Sequence, residues 1–239
     1  VVHEDGAWGT SVSNGAVEEA EARGVDLVLH EMYTASTATD LTALALQIKE
    51  AAPTALLITT YLNDGVLLWK ALQQVGFEPK IVIGHGSGST MPEFFEATNC
   101  EGFFVGECFQ FETNFAGVTG LEEFIQAYED TYGEHPKSCH SVLFHIGVEH
   151  VARILANAGS ADADAILAAA REYVVPEGGT LTGMGIKFDD ASSPLGQQNI
   201  YGTWGISEWG SDGVLYTIYP ESLAVKEPTL PFTFKEVKK

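Results

Sequence analysis

Four apolar runs, residues 25–30, 54–61, 80–84 and 102–107, alternate with helix-patterned segments, and polar or aromatic residues follow each run. Parallel strands need a crossover long enough to hold a helix, so this alternation predicts a parallel, doubly wound α/β sheet. Residues 1–3 supply one further strand, making five. Ligands of such sheets bind beyond the carboxyl ends of the strands. Trp8, Tyr61, His85 and Glu107 stand at those ends and are the first candidates for a binding site.

The segments between the runs carry helix signals. Residues 10–23 place Val12, Ala16, Val17 and Ala20 at helical spacing and stop at Gly24. Asp40 is suited to cap a helix that ends before Pro53, and Asp64 one that carries Val66, Leu67, Trp69 and Leu72 and closes at Gly76. Residues 33–39 and 85–91 read as loops. From 108 to 120 periodicity disappears, which predicts a connector or hinge. Beyond it helices follow one another over 121–132, 141–158 and 161–173 without intervening strands. The tail alternates apolar and polar residues over 181–189, 198–209 and 214–219, with Ser211-Asp212-Gly213 as a hairpin turn. A complete α/β lobe is thus followed by what reads as part of another.

Composition limits the function classes. The 239 residues are 45% hydrophobic and 19% charged, enough for one large core or two small ones. Acidic residues number 33 against 12 Lys and Arg, a formal charge of −21, which argues against nucleic acid or an anionic membrane as partner. No apolar run has the roughly 20 residues needed to span a bilayer. The chain starts inside a strand pattern without a basic, apolar leader, and is therefore expected to be a fragment or a processed form. Cys100 and Cys108 flank one strand, beyond disulfide reach if it is extended, so any disulfide is expected to involve Cys139.

The order of several segments resembles the branched-chain amino acid (Leu/Ile/Val-binding) type of solute-binding proteins, two-lobed receptors that feed ABC importers. The resemblance rests on His3-Glu4-Asp5-Gly6-Ala7-Trp8-Gly9, Leu57-Ile58-Thr59-Thr60-Tyr61, Gly102-Phe103-Phe104-Val105, His145-Ile146-Gly147 with Ala158-Gly159-Ser160, Thr182-Gly183-Met184 with Phe188-Asp189, and Tyr219-Pro220. It implies the type I periplasmic binding protein fold, with doubly wound sheets in two lobes. Residues 1–107 and 204–239 would form the second lobe and 108–203 the remaining part of a first lobe whose first half is lacking. It also implies a small-molecule ligand, a membrane permease as partner, no cofactor and no catalysis. The location implied is periplasmic or extracellular, with a lipid anchor left open for a longer form.

The resemblance also gives the candidates roles. Tyr61 matches a position where relatives place a tyrosine over the ligand. Trp8 offers a flat side chain for stacking. His85, Gly86 and Ser87 lie in a glycine-rich loop that lets backbone approach a small molecule closely. Relatives that bind amino acids carry an acid near Gly86 to pair with the ammonium, so its absence predicts a carboxylic acid or other solute rather than a plain aliphatic amino acid. Glu107 stands at the hinge, to bind a cation or hold interlobe geometry. His145 replaces a frequent tyrosine and is expected either to face the cleft or to be buried and hydrogen-bonded.

Enzyme signatures fail by comparison. Residues 84–89, Gly-His-Gly-Ser-Gly-Ser, lack the third glycine of a dinucleotide loop, and neither a phosphate loop nor a nucleophile elbow occurs. His140, His145 and His150 are five apart, about 140° around a helix, which spoils convergence on a metal. The competing readings are an α/β enzyme with an active site around His85 and Glu107, or a ligand-sensing receptor domain of the same fold.

Overall fold

The computed structural model describes residues 1–107, 118–194, 196–221 and 224–233. These divide into two compact units, residues 1–107 with 205–239 and residues 108–204.

The first unit is built on a seven-stranded sheet. In chain order its elements are β1 (Val2–Glu4), α1 (Ala7–Ala22), β2 (Glu31–Tyr33), α2 (Thr42–Ala51), β3 (Ala55–Thr59), α3 (Leu62–Val75), β4 (Ile81–His85), α4 (Pro92–Thr98) and β5 (Phe104–Glu107). The spatial order is β2-β1-β3-β4-β5, all parallel, as the alternation requires. The chain moves one way from β1 to β2 and the other way from β2 onward, so right-handed crossovers put α1 on one face and α2 to α4 on the opposite face. Packing of α2 on α3 and of α3 on α4 agrees. The reversal makes the β1/β3 boundary the topological switch point, where a crevice opens beyond the strand ends.

The core lies under α2 to α4. Val2, Ile58, Leu56 and Val82 from the strands meet Ile48, Leu68, Leu72 and Trp69 from the helices. Trp69 is fully buried and meets Phe94, Phe103 and Phe232 edge-on, with ring centroids 6.0, 5.0 and 5.4 Å away. Helix boundaries follow local chemistry. Asp40 accepts from the backbone N–H and hydroxyl of Thr42 at the start of α2, and Gly76 takes a left-handed conformation (φ +66°) at the end of α3.

The second strand corrects the sequence expectation. The run 25–30 is not a strand; Val25 and Val28 are 59% and 48% exposed, and the pairing with β1 begins only at Glu31. As an edge element β2 needs only the three residues facing Val2–Glu4, and the preceding residues approach along the sheet's amino-terminal end, where Val28 and Leu29 help line a cavity of about 410 Å³.

The tail is also shorter in strands than its pattern suggests. Only β8 (Gly205–Trp209) and β9 (Leu215–Tyr219) join the sheet, β8 antiparallel to β5 and β9 antiparallel to β8. Gly213 (φ +79°) closes the turn between them, beside the Gly210 to Val214 backbone bond of 2.8 Å.

The second unit holds α5 (Leu121–Tyr132), α6 (Cys139–Ala158), α7 (Ala163–Glu172) and a two-stranded pair, β6 (Val174–Val175) with β7 (Ile186–Lys187). Residues 176–185, expected in part as strand, spend their hydrogen bonds in turns, such as Gly183 N–H to Thr180 O and Thr180 N–H to Met184 O. Ser138 and Asp162 cap α6 and α7 by accepting from the first-turn N–H groups. Leu121, Cys139, Val142, Ile146 and Ile186 form the small core.

One face of α6 is apolar and exposed among the described residues. Phe144 and Val148 are 73% and 72% exposed, and with Leu143, Val151 and Leu155 they line a groove of about 680 Å³. Apolar area gains about 25 cal/mol per Å² on burial, and large exposed patches are rare on monomers. A polypeptide of these 239 residues is therefore expected to self-associate as its concentration rises, and the double variant Phe144→Asp with Val148→Asp to return it to monomer. Sedimentation velocity reads this directly; an unmodified chain that stays monomeric over the same range contradicts it.

No helix among the described residues is long and apolar enough to cross a membrane. Cys100 and Cys139 are both free, buried thiols, and burial pushes the Cys100 thiol up to about 12; Cys108 lies outside the described residues.

Candidate functional site

Four strand ends lie at the carboxyl edge of the first unit's sheet. Trp8 stands in the first turn of α1, directly after β1; Tyr61 links β3 to α3; His85 is the last residue of β4; and Glu107 is the last of β5. The indole of Trp8 is the centre of the group. Its ring lies 5.2 Å from Tyr61 and 6.4 Å from His85, tilted on the first and edge-on to the second. Tyr61 is 47% exposed, while Trp8 and His85 are half-buried, so the cluster is a partly open aromatic surface rather than part of the core.

Gly86 and Gly88 shape the loop after His85. Gly86 has φ +51°, a region that favours glycine, and an added Cβ there would lie 3.2 Å from the Glu107 carboxylate. Glu107 is itself buried. Ser87 begins a short 3-10 turn through Thr90. Ser89 braces that turn by donating from its hydroxyl to Gly86 O, and its own carbonyl accepts from the Trp209 indole at 2.9 Å. His145 belongs to the second unit, on α6, where it is exposed with its ring 5.0 Å from Phe124. The buried alternative for His145 is thereby excluded.

Two carboxylates at this edge were not singled out as site residues. Glu4 is buried and accepts from the N–H groups of Gly6 and Gly9, at 2.6 Å for the latter, which satisfies the start of α1. Asp64 accepts from the hydroxyl of Tyr33 and from the Tyr61 N–H at 3.3 Å, so it fixes Tyr61 from behind. Burial, reinforced by the Asp64 bond, pushes the Tyr33 hydroxyl well above its ordinary range. Tyr33 was hidden because the second strand was placed too early, which left it in a loop.

His85 titrates below its usual 6.5 because burial disfavours its charged form, with Glu107 opposing that shift. His150, bonded to the Tyr173 hydroxyl at 2.7 Å, is lowered by burial as well, and so is His30. A depressed histidine is neutral when folded and binds its proton more readily when unfolded. Its contribution is complete above the unfolded value near 6.5 and is lost as pH falls through it toward the folded value. The melting temperature is expected to decline as pH falls below about 6.5, with a shallower decline in His85→Gln. A profile that rises on acidification contradicts this.

A partly open aromatic cluster at the switch point of a doubly wound sheet, with buried carboxylates behind it, is the arrangement expected of a ligand-binding α/β protein. Residues 1–201 match the family model described as periplasmic binding protein, and the chain belongs to that family. It is 32% identical over 229 residues to the Leu/Ile/Val-binding protein homolog 8 of Brucella abortus, covering 94% of this chain and 55% of that protein. It thus spans about half the length of the curated relatives it matches. Among solved structures it superimposes with TM-score 0.70 and 17% identity on the leucine-, isoleucine-, valine-, threonine- and alanine-binding protein of Brucella ovis, covering 98% of this chain and 60% of that one. The fatty acid ABC transporter substrate-binding protein of Thermomonospora curvata gives TM-score 0.71 at 17% identity, covering 97% and 60%. The type I fold is therefore shared with solved structures whose names specify different ligands.

Proposed function

We propose that this chain binds a small organic solute, unchanged, as part of a substrate-binding protein that serves an ABC importer outside the cytoplasm. The observation that carries this reading is the clustering of Trp8, Tyr61 and His85 beside the switch point between β1 and β3. Aromatic faces supply apolar cover, and Ser87 with the backbone of the glycine-rich loop supplies polar anchors. In this reading residues 1–107 and 204–239 are the second lobe, 108–203 belong to the first, and His145 approaches the ligand from the first-lobe side. Closure of the lobes on the solute, rather than bond chemistry, is the working step. Membership of a binding-protein family supports it.

A melting-temperature screen of amino acids, carboxylic acids, amides and amines, followed by calorimetry, tests the proposal. The expected result is saturable binding of one class, with recovery of the same compound, and weak binding of leucine, isoleucine and valine because Gly86 carries no acid. Conversion of the compound to product would establish the enzyme reading around His85 and Glu107, and a screen without any hit would overturn solute binding.

A further inference from the structure

We propose that His3, His30 and Met32 form a site for a soft transition-metal ion, monovalent copper, at the β1–β2 edge of the first unit's sheet. The site uses none of Trp8, Tyr61 or His85 and is independent of the solute reading.

Side chains alternate along a strand, and residues paired across neighbouring strands share a face. β1 and β2 pair in parallel with His3 opposite Met32. The ladder runs on before β2, since Glu31 N–H donates to Val1 O at 3.1 Å, so His30, two residues before Met32, returns to the same face. Its hydrogen bond to Ser13 of α1 agrees, because α1 covers that face. The three side chains therefore share one face at an open edge of the sheet: His3 is buried, His30 exposed and Met32 58% exposed.

The two imidazoles are prepared as ligands. Their ring centroids are 5.4 Å apart with the planes tilted by 36°. An ion about 2 Å from one nitrogen of each ring holds two imidazoles at roughly this separation. The other nitrogens are anchored. His3 Nδ1 lies 2.7 Å from Glu4 O; a carbonyl only accepts, so Nδ1 carries the proton and Nε2 keeps its lone pair. Ser13 Oγ, on a fully buried residue, takes up His30 Nε2 at 2.7 Å and leaves Nδ1. Neither remaining nitrogen has a hydrogen-bond partner among the described residues. Metal-binding histidines are held in this way, with one nitrogen on the ion and the other fixed by a hydrogen bond that sets tautomer and ring orientation.

The third donor selects the ion. Imidazole serves zinc and copper alike, whereas a thioether is a soft ligand that favours Cu(I). Met32 thus turns a pair of histidines that zinc could share into a site that prefers monovalent copper.

The chain has three methionines, Met32, Met91 and Met184, so 13C labelling of the methionine methyl groups gives a site-resolved readout. The unmodified chain is titrated with Cu(I), kept reduced by ascorbate under nitrogen, and Met32→Leu identifies the Met32 signal by its loss. That signal is expected to move in a saturable way while those of Met91 and Met184 stay in place. In His30→Asn the midpoint should rise tenfold or more with far-ultraviolet dichroism unchanged, because His30 is exposed. Zn(II) at the same concentrations should leave the Met32 signal where it is. A Met32 signal that Cu(I) leaves unmoved overturns the site, as does an unchanged midpoint in folded His30→Asn; a signal that Zn(II) moves as readily as Cu(I) overturns the choice of copper.

Discussion

Trp69→Ala is expected to destabilise the first unit by about 3–5 kcal/mol, the usual cost of removing a large aromatic side chain from a packed core. Trp69 is fully buried at the meeting point of α3, α4 and the strand side of the sheet, and three phenylalanines, Phe94, Phe103 and Phe232, rest their rings against it. No neighbouring side chain is free to collapse into the gap without abandoning one of those contacts. The melting temperature of this unit should fall by roughly 10 °C, taking 2–4 °C per kcal/mol for a domain of this size. Trp69→Phe keeps an aromatic ring in place and should lose less. Thermal unfolding followed by near-ultraviolet circular dichroism measures both; a Trp69→Ala protein that melts with the unmodified chain would show that this cluster is not the core.

The second large effect is at the binding loop. A methyl group at Gly88 would lie 2.2 Å from the Leu62 nitrogen and 2.3 Å from the Tyr61 carbonyl carbon, both backbone atoms that cannot rotate away. Gly88→Ala must therefore push the turn after β4 off the start of α3 and carry Tyr61 away from Trp8. The strain, about 1–3 kcal/mol, falls on the loop rather than the core. Binding of the selected solute should weaken by roughly tenfold or more while far-ultraviolet dichroism stays unchanged, since tenfold corresponds to about 1.4 kcal/mol. Unaltered affinity in a folded Gly88→Ala protein would show that the spacing between the two loops is irrelevant to binding.

Much of the fold was legible because the period of the apolar residues changed at each element. The helix over 121–132 coincides with α5, β3 and β5 fall inside their runs, and β4 reaches one residue beyond its run, to His85. The second strand was misread because an apolar run states that a segment is shielded, not which of its residues pair; register with Val2–Glu4 decided that. The start of the tail, residues 181–185, was misread for a related reason. Its threonine and glycines fit a strand pattern, yet local side-chain and backbone bonds outcompete a ladder there, as in Thr180 Oγ1 to Met184 O at 2.9 Å.

The neighbourhood of Trp8, Tyr61 and His85 was readable because all three follow parallel strands and must emerge at one edge. Glu4 and Asp64 escaped notice as site residues because their role depends on which N–H groups they face, and that is set by backbone geometry around the helix starts. The relation of Glu107 to Gly86 was equally invisible: it depends on the pairing of β4 with β5, which sets His85 opposite Gly106.

The most direct test of the account follows the four tryptophan indole N–H signals, of Trp8, Trp69, Trp204 and Trp209, in a 15N-labelled chain titrated with the solute that the melting screen selects. The account predicts that the Trp8 signal moves in a saturable way, with the same dissociation constant that calorimetry gives, while the buried Trp69 and Trp209 stay in place. Saturable binding that leaves the Trp8 signal unmoved would contradict it.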